Sequence, residues 1–189
     1  MDDQSKNLRY LLWKRNHPKA QWTRTLASWL GCSELRAKEL LNGGKLSAFE
    51  QNAIAKFTEI SEEDLVYTDL LEKDKSTIKI WQENLLYLLN ENLDYKENGE
   101  LAKSLGIGND VISNWKSRKH SPAKKHKEKV QIFFKIDSHT DLEKDPIFLS
   151  FSPISIREKR KWLLDCIKNI DDRELDRLFH ALEKLLAEE

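Results

Sequence analysis

The sequence predicts an all-α protein built from two tandem five-helix units and a C-terminal helical hairpin, and three observations carry that reading. The chain repeats itself: residues 7–12 read NLRYLL and residues 84–89 read NLLYLL, and each is followed about twenty residues later by LAxxLG, at Leu26–Gly31 and Leu101–Gly106. The offset is 77 residues at the first match and 75 at the second, a slip of the kind that connecting turns tolerate. A further landmark extends the register, since Phe57, Ile60, Asp64 and Leu65 answer Phe133, Ile136, Asp141 and Leu142. Apolar residues also recur at spacings of three and four, the signature of helices with one buried face. Each copy spans roughly 60–70 residues, a size that supports one small helical core.

In the first copy, Leu8, Leu11, Leu12 and Arg15 set a helix over 5–16. His17-Pro18 ends it, because proline disfavours helical backbone in the residue before it. Thr23 or Thr25 caps a second helix with the stripe Leu26, Ala27, Trp29 and Leu30, stopped by Gly31. Ser33 caps a third, 34–42, closed by Asn42-Gly43-Gly44. Ser47 opens a fourth with Phe49, Ile54, Ala55 and Phe57, and Ser61 to Asp64 opens a short fifth.

In the second copy the helices fall at about 79–92, 97–105, 109–117 and 122–135, and Thr140-x-x-Glu143 is a capping box for the fifth. Residues 72–77, without apolar periodicity, form the linker, so the domains lie at 5–71 and 79–150. IFLSFSP, after Pro146, reads as a short apolar and extended connection. Capping boxes Ser155-x-x-Glu158 and Asp171-x-x-Glu174 then open the two helices of a hairpin at 155–187. The first carries Trp162, Leu163, Cys166, Ile167 and Ile170 on one face. The second carries Leu175, Leu178, Phe179, Leu182, Leu185 and Leu186, a stripe that has to be buried against something. Two uses are open for the hairpin: dimerisation through Leu175, Leu178, Phe179, Leu182 and Leu185, or a brace folded back on the second domain.

Bulk properties narrow the function. The 189 residues are 39% hydrophobic and 34% charged with zero net charge, so no global field draws the chain to a polyanion or a membrane. Local asymmetry has to supply any such attraction, and residues 116–129 hold seven Lys/Arg and two His against one Glu. No apolar run approaches the ~18–20 residues of a membrane span, and the N-terminus begins acidic and lacks a signal-peptide core. A cytoplasmic protein is expected. Cys32 and Cys166 are far apart and outside any metal-ligand spacing, as suits small apolar groups in a reducing compartment.

The segment LAKSLGIGNDVISNWKSRKHSP (101–122) resembles the helix-turn-helix core of lambda-repressor-like (Cro/repressor, XRE-type) DNA-binding domains, which reads like LAxxLGVSxxTISxWExGxxxP. LASWLGCSELRAKELLNGGKLS (26–47) is similar to the same core, with Leu40 at the place of Trp115. The resemblance covers about 7–68 and 84–148. It implies two tandem five-helix lambda-repressor-like helix-turn-helix domains in which Gly31 and Gly106 permit the sharp turn that sets a third helix across the second. It implies buried Leu101, Ala102, Leu105, Ile107, Ile112 and Trp115. Base-reading positions fall on Asn109, Asp110, Ser113 and Asn114 in the second domain and on Glu34, Leu35, Lys38 and Glu39 in the first. Phosphate contacts fall on Lys116, Arg118, Lys119, His120, Lys124 and Lys125, with Lys45 in the first domain. Gly108 departs from the usual Ser/Thr cap.

The two sets are chemically unequal. Asn pairs with adenine and Ser bonds several base edges, whereas Glu34 and Glu39 face a polyanion with repulsion unless they accept from cytosine. The second domain is therefore the expected main reader of double-stranded DNA in a dimeric transcriptional repressor. The first is an accessory reader or a protein-binding module, and a helical protein-protein adaptor is the alternative function for the whole chain. Asp137-Ser138-His139-Thr140-Asp141 reads as a loop and cap rather than a metal site, and His120 and His126 as surface histidines. No nucleophile or metal constellation is present. The expectation is a protein that is not an enzyme and uses no cofactor or metal.

Overall fold

The computed structural model describes residues 3–91, 97–120, 123–154, 156–169 and 171–187, and these form twelve α-helices with no strand among them. Of the residues singled out above, Ser155 and Ile170 and the side chains of Lys124, Cys166, Leu185 and Leu186 lie outside the described residues.

In the first repeat, α1 (Asp3–Lys14) ends two residues early, where Asn16 takes a left-handed φ of 57° ahead of Pro18. The expected Thr cap on α2 (Trp22–Leu30) is not used. A 3-10 turn at Lys19–Gln21 runs straight into the helix, and Gln21 is the cap residue, with no side-chain bond. Buried Trp22 fixes the start instead, donating its indole N–H to the His17 carbonyl at 2.8 Å. The serine caps form as expected: Ser33 on α3 (Glu34–Leu41), Ser47 with Glu50 as a reciprocal box on α4 (Ala48–Thr58), and Ser61 on α5 (Glu62–Tyr67). The expected linker is structured. Asp69 caps a short α6 (Leu70–Lys73), and Asp74 accepts hydrogen bonds from Tyr10 and Lys14 of α1.

The second repeat follows with α7 (Ile80–Glu91), α8 (Asn98–Leu105), α9 (Asn109–Lys116) and α10 (Lys127–Phe134). α10 begins later than the spacing predicts, after a 3-10 turn at Lys124–His126. The expected fifth helix is absent. Thr140 does not cap; the Asp141 and Asp145 carboxylates accept from the amides of Glu143 and Asp141 at 3.0 and 2.6 Å. Such short side-chain bonds compete with helix for the same backbone groups.

Duplication is nevertheless visible in the packing. Leu12, Leu26, Ala37, Ile54 and Leu65 are fully buried in one core, and their counterparts Leu89, Leu101, Ile112, Val130 and Leu142 are fully buried in the other. The IFL connection is a 3-10 turn at Ile147–Leu149, not an extended segment. It bridges the cores, placing Ile147 in the second and Phe148 and Leu149 in the first, with the Phe148 ring 4.8 Å from that of Trp13. Burial of these side chains, at roughly 1.5–3 kcal/mol each, holds the repeats together.

Beyond it lie α11 (Ile156–Asn169) and α12 (Asp172–Ala187). Their apolar faces are open in the single chain: Trp162 is 53% exposed, Phe179 57% and Leu182 40%. On α12, Leu175, Phe179 and Leu182 stay open in the single chain and Leu178 is half-buried, while Glu158 at the start of α11 accepts from the Tyr87 hydroxyl of the second repeat. Among those residues, no helix is long and apolar enough to cross a membrane.

Candidate nucleic-acid interface

Gly106 ends α8 in the left-handed conformation (φ 69°), and the Ile107 amide then donates back to the Ala102 carbonyl at 3.0 Å. Gly31 (φ 62°) does the same after α2, with Cys32 donating to Ala27 at 3.1 Å. Glycine alone holds that conformation at no steric cost. In α9 the turn drives Ile112 and Trp115 into the core and leaves Asn109, Asp110 and Ser113 exposed, with Asn114 half-buried and Ile107 half-buried at the turn.

The exposed face is partly engaged with its own helix. Ser113 donates its hydroxyl to the Asn109 carbonyl at 3.2 Å. Asp110 folds its carboxylate back against Gly108, at the amide-rich start of α9. A Cβ at 108 would overlap that carboxylate, so glycine leaves room for it near a helix start where the dipole favours negative charge, without a side-chain cap bond.

The basic run is less uniform than its composition. Lys119, His120, Lys125 and Lys129 are exposed, Lys116 is half-buried, and burial lowers its pKa. Arg118 adopts a left-handed φ of 58° and donates from both Nη atoms to Glu83 of α7, the second bond at 2.8 Å. The bond to Glu83 raises the Arg118 pKa, so this group stays charged. Lys127 pairs with Glu143 at 3.0 Å. His126 corrects the surface expectation: it is buried, 5.8 Å from the Trp115 ring, and desolvation, then Lys125 and Lys129, lower its pKa.

On α3, Glu34, Leu35, Lys38 and Glu39 are exposed as expected, and Lys45 is exposed beyond its end. Leu35 is 79% exposed and Phe49, at the start of α4, 76%. The two acids are not bare: Arg24 approaches Glu34 at 3.9 Å and Arg36 meets Glu39 at 2.9 Å.

Two residues that matter here escaped the sequence reading. Arg36 donates to both carboxylate oxygens of Glu50, at 2.9 and 3.0 Å, and to the Lys45 carbonyl at 2.8 Å, tying α3 to the α4 cap and the loop between them. Glu83 is 8% exposed and holds Arg118. The i,i+14 and i,i+35 separations of these pairs carry no local signal. The loop at Asp137–Asp141 is a turn in which the Asp137 carboxylate accepts from the His139 amide at 2.9 Å.

Comparison of the chain with protein-family models, with curated proteins and with solved structures returns no match.

Proposed function

We propose that the chain is a sequence-specific, double-stranded-DNA-binding transcriptional repressor of the cytoplasm, built from two helix-turn-helix domains, in which α9 is the principal reader. The observation that carries this reading is the juxtaposition on one element. α9 shows Asn109 and Ser113, both able to bond base edges, and runs directly into exposed Lys119, His120 and Lys125. Base contacts specify and phosphate contacts position, and this arrangement offers both in sequence. The reading calls for no cofactor, metal or catalytic group.

For the first domain, exposed Leu35 and Phe49 favour a protein partner over a duplex, because an apolar pair beside Glu34 and Glu39 gains little from a polyanion. The adaptor reading therefore applies to the first domain beside a reading second one.

The open residues Leu175, Phe179 and Leu182 on α12, with half-buried Leu178 in the same stripe and Leu185 continuing it in sequence, support a homodimer through this helix. A two-fold pair presents two α9 helices, so the operator is an inverted repeat with half-sites one helical turn, ~34 Å, or a multiple apart. The test is Leu178→Asp with Leu182→Asp. Light scattering should show a folded monomer, with operator affinity reduced far more than affinity for random duplex. A wild-type monomer would contradict the dimer.

A further inference from the structure

The C-terminal hairpin divides its chemistry between its two helices. The open apolar residues Leu175, Phe179 and Leu182 sit on α12, where four acids outnumber three Lys/Arg. Two of those acids, Asp176 and Glu183, approach His180 of the same helix at 3.8 and 3.2 Å. α11 carries the basic excess: residues 156–169 hold five Lys/Arg against two acids, Glu158 and Asp165, a surplus of three however its own acids pair. In a chain of zero net charge this is a second basic run, remote in sequence from residues 116–129.

Glu158 is half-buried and turned toward the second repeat, where its carboxylate accepts from the Tyr87 hydroxyl of α7 and from the Ile154 amide, the latter at 2.6 Å. It seats the start of α11 on the repeat that carries α9. Arg160, two residues on, lies about 200° round the helix from Glu158, and it is exposed, as are Lys159 and Lys168. Arg160, Leu164 and Lys168 follow at spacings of four, all exposed, and the two cations stand ~12 Å apart along the axis. That distance spans roughly three to four nucleotides of one DNA strand, at ~3.4 Å each.

We propose that the exposed face of α11 is a second contact to duplex DNA, on which Lys159, Arg160 and Lys168 hold backbone phosphates outside the site read by α9. The inference rests on the duplex-binding reading and extends it to the hairpin. Phosphate contacts carry no sequence information, so this face adds affinity for every duplex alike. An anionic membrane would also draw these cations and would bury Trp162 and Leu164 in its interface. The duplex is favoured because Glu158 fastens α11 to the α9-bearing repeat.

The test follows full-length protein on a labelled random duplex by fluorescence anisotropy, from about 20 to 300 mM salt. Lys159→Gln, Arg160→Gln and Lys168→Gln combined should flatten the log–log salt dependence by about 2–3 units, and Arg160→Gln alone by about one. Lys159→Arg with Lys168→Arg should keep the wild-type slope, and circular dichroism and light scattering check that each variant has the fold and mass of wild type. A triple α11 variant with the wild-type slope overturns the inference, and the α9 reading survives if replacing Lys119, Lys125 and Lys129 still flattens it. Flattening by the α11 variant alone supports the inference and removes the α9 reading. Wild type that binds no duplex at the lowest salt overturns both. Vesicles of phosphatidylglycerol that sediment wild type but not the α11 variant, with duplex slopes unchanged, assign the face to a membrane and overturn the proposal.

Discussion

Asn7 and Asn84 occupy equivalent places in the two repeats and make the same set of hydrogen bonds. The Asn7 amide donates to the carbonyls of Leu65 and Thr68 at 2.9 and 2.7 Å and accepts from the Leu70 amide at 3.0 Å. The Asn84 amide donates to Leu142 and Asp145 at 2.9 and 2.7 Å and accepts from Phe148 at 3.2 Å. Both side chains are fully buried. Each clasp closes its repeat by fastening the last segment to the first helix, and it persists in the second repeat although the fifth helix does not.

Removing either clasp strands two carbonyls and an amide in the interior. Asn7→Ala and Asn84→Ala should each lower stability by roughly 2–4 kcal/mol in urea unfolding. The Asp variants should be worse, since a carboxylate faces two carbonyl oxygens. A loss below about 0.5 kcal/mol from either alanine variant would show that its clasp contributes little.

Glu50 sets an acid limit on the first repeat. Its bonds to Arg36 outweigh desolvation and, with the Ser47 bonds, hold its pKa at about 2, against an ordinary 4.5. The folded value is depressed, so the stabilisation is present above pH 4.5 and is lost as the pH falls toward 2. Glu50→Gln should be less stable than wild type at neutral pH, and the difference should shrink across that window in denaturant unfolding. A difference that stays constant from pH 6 to pH 2 would refute the Arg36–Glu50 linkage.

Under the proposed DNA-binding reading, Arg118 reaches a phosphate by leaving Glu83, which holds both its Nη atoms. Glu83→Gln keeps the shape and removes the competing charge. It should raise affinity for random duplex and steepen the log–log salt dependence by about one unit, the signature of one more neutralised phosphate. No change in slope, with the protein folded by circular dichroism, would mean that Arg118 does not reach DNA.

Much of the fold was legible because its signals are local. Ser33, Ser47 and Ser61 are caps read directly from residue type, and Gly31 and Gly106 mark left-handed turns that other residues resist. Of the buried set that the resemblance implies, Leu101, Ala102, Leu105, Ile112 and Trp115 are buried and Ile107 is half-buried. Failures have a common physical origin in competition from elsewhere. Thr23 lost its capping role to a turn anchored by Trp22, and Thr140 lost its own to the carboxylates of Asp141 and Asp145. The linker was fastened by Asp69 and Asp74, polar groups whose partners on α1 are remote in sequence. The same holds at the candidate interface: the exposure of Asn109, Asp110 and Ser113, with Asn114 half-buried, agrees with the positions the resemblance implies, whereas the capture of Arg118 by Glu83 and the burial of His126 against Trp115 carry no local signal.

The central claim is that the face made by α9 and the basic run binds duplex DNA, and its salt dependence tests this most directly. Fluorescence anisotropy should follow a labelled random duplex from about 20 to 300 mM salt, with wild type and with Lys119, Lys125 and Lys129 replaced together by alanine. The account predicts that wild-type affinity falls linearly on a log–log plot, with a slope of magnitude on the order of 3 or more, and that the triple variant flattens it by about 2–3. Duplex binding that is absent at the lowest salt, or a triple variant with the wild-type slope, would contradict it.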